Sequence, residues 1–366
     1  MNKKLIALAV AGAFAAPVAM ADTGNVKISG TLDMSIDNVD GNTNTTAPVT
    51  DNGRQWGVSS NASNVVLSGD EDLGNGTSAV WQLQTFVNFG GTGASSFTDG
   101  STYGALSNGV SYVGLSSKSW GSVLVGKQDS SMKLLGRKVD LFGNRLGDSR
   151  NLIQKYGSTA DWDARPTNTV LYATPDMSGF KAYIHYTTNA DSSYTKENST
   201  TVTGVAGMYE NGPVFAGLAY QKNSIRATPN SADPSAWRLA GGYNLGDFKL
   251  VALYEQTKDN SAVAGTDDDR KVWGLGGAYK RGSNTLKLQY YKAGQYGNTA
   301  NTDANMWALG VDHAMSKRTT AYVGYARTSN DSGVGYSMSG GGHDDNYGTV
   351  SGKDPSGFQV GLVHKF

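Results

Sequence analysis

Between positions 26 and 37 the chain reads VKISGTLDMSID, and its residues alternate. Val26, Ile28, Gly30, Leu32, Met34 and Ile36 fall on one side of an extended chain, and Lys27, Ser29, Thr31, Asp33, Ser35 and Asp37 on the other. Period two marks a strand with two unlike faces. Segments of this kind recur to the last residue, and helical periodicity with capping signals is nearly absent. The short connections are DLGNG (72–76), SSKSWG (116–121), PDMSG (175–179), ENGP (210–213), LGD (245–247), RGSN (281–284) and MSKR (315–318). Each carries the Gly, Asn, Asp or Ser that a tight hairpin needs. Polar, longer connections cover about 39–53, 90–109, 129–165, 190–198, 224–235, 259–270, 294–303 and 330–354. Seven short turns and eight long loops separate sixteen strands.

A strand crosses a bilayer obliquely with about 9–11 residues, and the spacing leaves room for that. Loops long on one side and short on the other suit a membrane barrel, whereas a two-layer sandwich gives no reason for such segregation. In a barrel the apolar side faces lipid and the polar side faces water. Lys27 at mid-depth in hydrocarbon would cost about 2–4 kcal/mol, so it belongs with Asp33 and Asp37 on the lumen side. Aromatics near strand ends fit the two interfaces: Tyr183, Tyr186, Tyr209, Tyr220, Tyr243, Tyr254, Trp273, Tyr279, Tyr290, Tyr291, Trp307, Tyr322, Tyr325 and Phe366. The expectation is an all-β, 16-stranded antiparallel transmembrane barrel, wide enough for an aqueous channel. Residues 54–71 read as one long strand or two pieces, and FKLVALYEQ (248–256) looks apolar on both faces. Eighteen strands therefore stay open.

The first residues, MNKKLIALAVAGAFAAPVAMA, combine Lys3 and Lys4, an apolar run and a small-x-small ending at Ala21. We read 1–21 as a secretory signal peptide and 22–366 as the barrel domain. No later run is apolar enough for a membrane helix. Lysine plus arginine and aspartate plus glutamate number 31 each, so nucleic acid is not an expected partner. Cysteine is absent, which removes disulfides and thiolate metal sites. Glycine at 48 against proline at 8 argues for strands and turns.

The chain resembles the general porins of Gram-negative outer membranes, especially those of β- and γ-proteobacteria. The likeness spans the chain after the signal and rests on NVKISGTLDMSID, LSGDEDLGNGTSAVWQLQTF (67–86), SYVGLSSKSWGSVLVGKQ (111–128), FGNRLGDSRN (142–151), TVLYATPDMSGFKAYIHYT (169–187) and FQVGLVHKF. It implies a homotrimer of barrels in the outer membrane, amid lipopolysaccharide. Each barrel would pass small hydrophilic solutes and ions, with no cofactor. It implies that the third long loop folds into the lumen as the constriction, and that Phe366 ends a strand read by the outer-membrane assembly machinery. That loop holds Asp129, Asp140, Asp148, Asp161 and Asp163 against Lys133, Arg137, Lys138, Arg145, Arg150, Lys155 and Arg165. Opposed charges across a narrow water column orient dipolar solutes and concentrate counter-ions. The expected constriction residues are Arg137, Lys138, Asp140, Arg145, Asp148 and Arg150, with Lys27, Asp33, Arg54 and Lys127 on the wall. The bland alternative for each is a solvated charge held by a neighbour. The family commonly places bases where Asn64, Ser68 and Leu171 stand, and arginine where Lys127 stands. The expected selectivity is therefore weak and leans to anions.

Three rivals remain. A barrel enzyme needs a nucleophile, an imidazole and a carboxylate together, and His185, His313, His343 and His364 sit in no such motif. His185 and His313 read as strand residues near an interface. A channel specific for a sugar or amino acid would show a lumenal ladder of aromatics. TDDDR (266–270) and GGHDDN (341–346) cluster carboxylates without the spacing of a calcium loop, so loop tips are the better reading.

Overall fold

The computed structural model describes residues 26–41, 54–87, 107–153, 161–188, 200–225, 233–258, 269–344, 347 and 349–366. The expected signal segment, Lys155, residues 266–268 and residues 345 and 346 lie outside them. The strands are β1 (Lys27–Asp40), β2 (Arg54–Ser60), β3 (Asn64–Asp72), β4 (Thr77–Phe86), β5 (Ser111–Ser117), β6 (Gly121–Lys127), β7 (Thr169–Ala173), β8 (Phe180–Thr187) and β9 (Thr201–Asn211). They continue with β10 (Val214–Ser224), β11 (Ser235–Leu245), β12 (Phe248–Lys258), β13 (Arg270–Arg281), β14 (Asn284–Ala293), β15 (Ala304–Ala314), β16 (Thr319–Asn330) and β17 (Ser356–Lys365). All pairings are antiparallel and join sequence neighbours, except that β3 pairs with β1 and that β1 pairs with β17 to close the ring. The seam ends in two backbone bonds between Gly30 and Phe366, each 3.1 Å.

β2 and β3 together make one barrel strand, because both pair with β1. Met34 lies opposite Ser60 and Thr31 opposite Asn64, so residues 32 and 33 face residues 61, 62 and 63. The extra residue is a β-bulge, with Ala62 at φ 56°. The barrel therefore has sixteen strands, and the open choice between one strand and two resolves as one strand with a break. The tight turns fall where the sequence places them. The ENGP, LGD and RGSN hairpins turn on Gly212, Gly246 and Gly282 at φ 56°, 58° and 57°, backbone that suits glycine.

The faces follow the alternation. Ile28 is 63% exposed and Ile36 55%, while Asp33, Ser35 and Asp37 are buried inside the ring. On the outer surface Tyr220, Trp237, Tyr254, Trp273, Tyr290, Trp307 and Tyr325 lie toward the long-loop ends. Tyr209, Tyr243, Phe248 and Tyr279 lie toward the short turns. Rings on neighbouring strands touch, as in Phe248–Tyr279 (4.5 Å between centroids) and Trp307–Tyr325 (5.2 Å). Phe248 and Tyr254 are six residues apart, about 20 Å of strand, which suits the band between two bilayer interfaces. Tyr291 and Tyr322 depart from the expected pattern: their register positions alternate with outward Tyr290 and Val323, and both are buried inside.

Candidate functional site

The described parts of the loop after β6, residues 128–153 and 161–168, lie inside the ring. The loop's first turn is helix α1 (Ser131–Gly136), started by Ser130, whose hydroxyl accepts from Lys133 N (3.1 Å) and donates to the Trp162 carbonyl (2.6 Å). A side chain that caps one limb and ties it to the other gives the loop a closed shape. α1 packs on β9, β10 and β11. Leu135 can approach because Gly217 faces it: a Cβ there would sit 2.5 Å from the Leu135 side chain. Further on, Phe142 lies over Gly310 in the same way, and helix α2 (Arg150–Ile153) packs on β14 and β15. Met132, Leu135, Val139, Leu152, Ile153 and Trp162 are buried against Ala206, Ala219, Val251, Leu253 and Met306 of the wall. This dry contact explains the segment that looked apolar on both faces. Val251 and Leu253 point inward yet meet loop side chains, not water.

Ion pairs pin the loop as well. Arg238 of β11 is fully buried; its Nη1 and Nη2 donate to the two carboxylate oxygens of Asp163 (2.9 and 2.7 Å), and its Nε to Glu255 (2.8 Å). Such a fork gives Asp163 a donor on each carboxylate oxygen and Glu255 two charge-assisted bonds on Oε2, where water is excluded. Arg145 reaches across to β1 and β15, with Nε 3.3 Å from Asp33 and Nη1 3.2 Å from Asp312, and its guanidinium lies 3.5 Å from the Tyr322 ring centre. Gln289 donates to Asp140 (3.1 Å) and to the Gly147 carbonyl (2.7 Å). The last long loop adds a second cover. Asp344 N donates to the Ser60 carbonyl (3.2 Å), and His343 sits between Asp37 (Nε2, 2.9 Å) and Ser59 (Nδ1, 3.3 Å).

Between the loop and the uncovered wall lies a cavity of about 550 Å³. The β3–β4 side and its neighbours contribute amides and one ring: Asn64, Gln82, Gln84, Phe86 and Asn108. The loop contributes Asp129, Lys133, Arg137, Arg150, Asp161, Asp163 and Arg165. Most of these charges are already spent on one another. Asp129 meets Arg165 (2.8 Å) and Lys133 (3.3 Å), and Arg150 forks onto Asp148 (Nε–Oδ1 3.0 Å). Arg137 differs: it is exposed to the lumen and donates to the Asn144 amide (3.1 Å), not to a carboxylate. It also borders a second cavity of about 270 Å³ with Asp140, Arg145, Lys287 and Asp312.

Burial and the flanking charges move several loop groups. Burial alone would raise Asp129, but Lys133, Arg165 and Arg137 overcome it and hold the carboxyl below its ordinary value. Burial lowers Lys133 to about 8 against the pull of Asp129. Burial, and then the neighbouring Asp148 charge, pushes Asp140 up to about 6. Asp148 goes the other way: burial is outweighed by Arg150.

Of the six expected loop residues, Arg137 and Arg150 line the large cavity, and Arg137, Asp140 and Arg145 line the smaller one. Lys138 turns to Glu210 of β9 (2.9 Å) while staying exposed, and Asp148 is fully buried as the partner of Arg150. Among the expected wall residues, Lys27 lies in the inward row opposite Ser68, and Asp33 clamps Arg145. Arg54 does not reach the lumen. The bulge shifts the face by one residue, so Arg54 shares the outward row with Trp56 and Val58 and bonds Asn38 (3.1 Å) and Ser356 (3.3 Å). Lys127 is buried at the end of β6 opposite Ser111, and neither cavity touches it. His185 also departs from expectation: it is buried inside, 2.8 Å from the Ser131 hydroxyl. Its register partner Leu171 is buried too, and a base there would lack water. The sequence reading counted Lys133 and Arg165 as loop charges without singling them out. It passed over Gln82, Gln84, Arg238, Lys287 and Asp312, whose signal was a polar residue in the inward phase of a strand.

Residues 7–333 match the model of a known family, described as Gram-negative porin. The chain belongs to the Gram-negative porins. An outer membrane porin protein of Bordetella pertussis is 31% identical over 57% of this chain and 53% of its own length. Outer membrane porin protein 32 of Delftia acidovorans is 30% identical with both chains covered in full. Among solved structures, an anion-selective porin from Comamonas acidovorans aligns with a TM-score of 0.77 and 25% identity, covering 94% of this chain and all of that one. The porin is thus a multi-pass outer-membrane barrel and a channel protein of the kind that carries solutes across that membrane.

Proposed function

We propose that this porin is a general diffusion pore for small hydrophilic solutes and ions, with a weak preference for anions set by the third loop. The observation that carries the reading is Arg137, a lumen-exposed cation facing amides while its neighbours are paired with carboxylates. An unpaired fixed charge beside a water column raises the local concentration of its counter-ion, and a single one does so modestly. In this reading Arg137 and Arg150 face the passing solute, Asp140, Arg145 and Asp148 hold the loop in shape, and Lys138 and Lys27 tune the entrances. The likeness to an anion-selective porin supports the sign. Asn64 and Ser68, neutral in the inward row, support the weakness.

A pore specific for one sugar or amino acid is less well supported, since among the described residues Phe86 is the one Phe, Tyr or Trp on the large cavity. Hydrolysis is less well supported too. Ser59, His343 and Asp37 adjoin one another, but all three side chains are buried beneath the last loop and act there as a latch. We also assign 1–21 as the cleaved signal, a homotrimer as the working assembly, and Phe366 at the barrel seam as the contact for the assembly machinery.

Reversal potentials in a planar bilayer under a potassium chloride gradient test the reading. The expected potential has the anion sign and lies well short of the ideal limit. A cation sign refutes the preference, and uptake in liposome swelling that ignores solute size refutes the general pore.

A further inference from the structure

We infer that the corner of the large cavity where the last long loop crosses the third loop is a binding subsite for a phosphate-type oxyanion. The crossing is made by bare backbone. Residues 340–342 are three successive glycines on the cavity wall, and a Cβ on each would sit 2.5 Å from a different third-loop side chain: Asn151, Arg150 and Asn144 in turn. Gly341 has φ 70°, and His343 N closes the turn onto the Gly340 carbonyl (3.4 Å). The two middle N–H groups of a turn take no part in its closing bond. Among the described residues no acceptor takes the N–H of Gly341 or Gly342. Successive backbone donors of this kind form an anion-binding concavity.

Two guanidinium groups meet at the same corner. Asn144 Oδ1 accepts from Arg137 Nη1 (3.1 Å) and from Arg150 Nη2 (2.7 Å), so the two cations are held side by side. Arg150 spends Nε and Nη2 on Asp148 and lies against Gly341, while its Nη1 bonds no acceptor among the described residues. Arg137 gives Nη1 to Asn144 and keeps the rest of its fork for the lumen.

The carboxylates nearby are the opposite case, because each is already engaged. Asp129 holds Arg165 and Lys133, Asp163 takes two nitrogens of Arg238, and Asp161 and Asp344 have partners of their own. Asp148 sits in the Arg150 fork, and Asp140 accepts from Phe142, Ser149 and Gln289. The corner thus carries spare donors beside acids that are already partnered. A halide gains from charge alone, whereas an anion with several oxygens takes the Arg137 fork, the Arg150 edge and the glycine N–H groups together. The inference rests on the general-pore reading and adds to it a preference set by donor geometry.

The test uses the whole purified chain in a planar bilayer, with the chloride current followed as inorganic phosphate or bromide is added at pH 7 and constant ionic strength. Phosphate is expected to depress the current in a saturable way, and bromide is not. Arg137→Lys keeps the charge but removes the fork, and Gly341→Ala pushes the last loop off Arg150; each should raise the half-blocking phosphate concentration about tenfold. Arg281→Gln, at an outward position beside a short turn, should be blocked as wild type is. Absence of a saturable phosphate block overturns the site, and so does a block undiminished in either cavity variant. A bromide block as strong as that of phosphate, or a block weakened in Arg281→Gln, reduces the effect to general charge and overturns it too. The reversal potential in potassium chloride without phosphate is read separately, so failure of the pore reading and failure of the oxyanion site appear in different measurements.

Discussion

From β9 to β15 the inward row holds Ala206, Ala219, Arg238, Val251, Leu253, Glu255 and Met306, all buried under the third loop. From β3 to β5 the inward row holds Asn64, Gln82 and Gln84 and borders open cavity. Both stretches belong to one ring with one hydrogen-bonding pattern, so the backbone does not set the difference. The covering loop sets it: where it packs, the wall is selected for fit and for paired charges, and where it does not, for contact with water. A polar residue on the covered side is thus part of an anchor, and on the open side part of the passage.

The largest expected effect breaks the covered side. Arg238→Ala leaves Asp163 and Glu255 buried without their shared cation, a loss of about 3–5 kcal/mol at that contact. The loop should loosen, giving larger and noisier single-channel currents and faster cleavage of the loop by trypsin while the barrel stays folded. Unchanged currents and cleavage would mean that apolar packing alone holds the loop.

On the open side Arg137→Glu replaces the exposed cation by an anion. The reversal potential should change sign with little change in melting temperature; a retained anion sign would move the selective charge to Arg150 or Arg165. Asn64→Arg should act in the opposite sense and strengthen the anion preference by about twofold, since one added fixed charge biases ion concentration modestly.

Changing pH gives the smallest effect and tests both sides together. Lys133, lowered to about 8, loses its charge as pH rises through that value, so anion preference should fall between pH 7 and 9. Asp140, raised to about 6, gains a proton as pH falls below it, so anion preference should rise between pH 7 and 5. For stability the sign for Asp140 follows from its raised value: its contribution is fully present below its unfolded value near 3.9 and is lost as pH rises through about 6. A flat selectivity profile across this range would place both groups away from the conducting path.

The ring itself was legible in the sequence because lipid and water impose a rule on every second residue, as Ile28 and Asp33 illustrate. The turns were legible because ENGP, LGD and RGSN contain the residues that positive φ requires. The site was less so, because a loop's charges reveal their number but not their partners. Asp148 and Arg150 form one fork two residues apart, whereas Arg145 finds Asp33 more than a hundred positions away. Arg238 and Glu255 stood in phase with inward positions, but the alternation around them was blurred by Val251 and Leu253, which only a covering loop explains. Arg54 was misplaced because nothing in RQWGVSSNASNVV announces the extra residue beside Ala62.

That extra residue acts on the strand as an inserted letter acts on a reading frame. Everything from Arg54 to Ser60 is read in the opposite phase from Asn64 onward, so an unbroken alternation of the same residues through 61–63 would exchange the two surfaces of the whole segment at a stroke. Trp56 and Val58 would then turn into the channel and Ser59 out to the hydrocarbon, with no letter of the message changed.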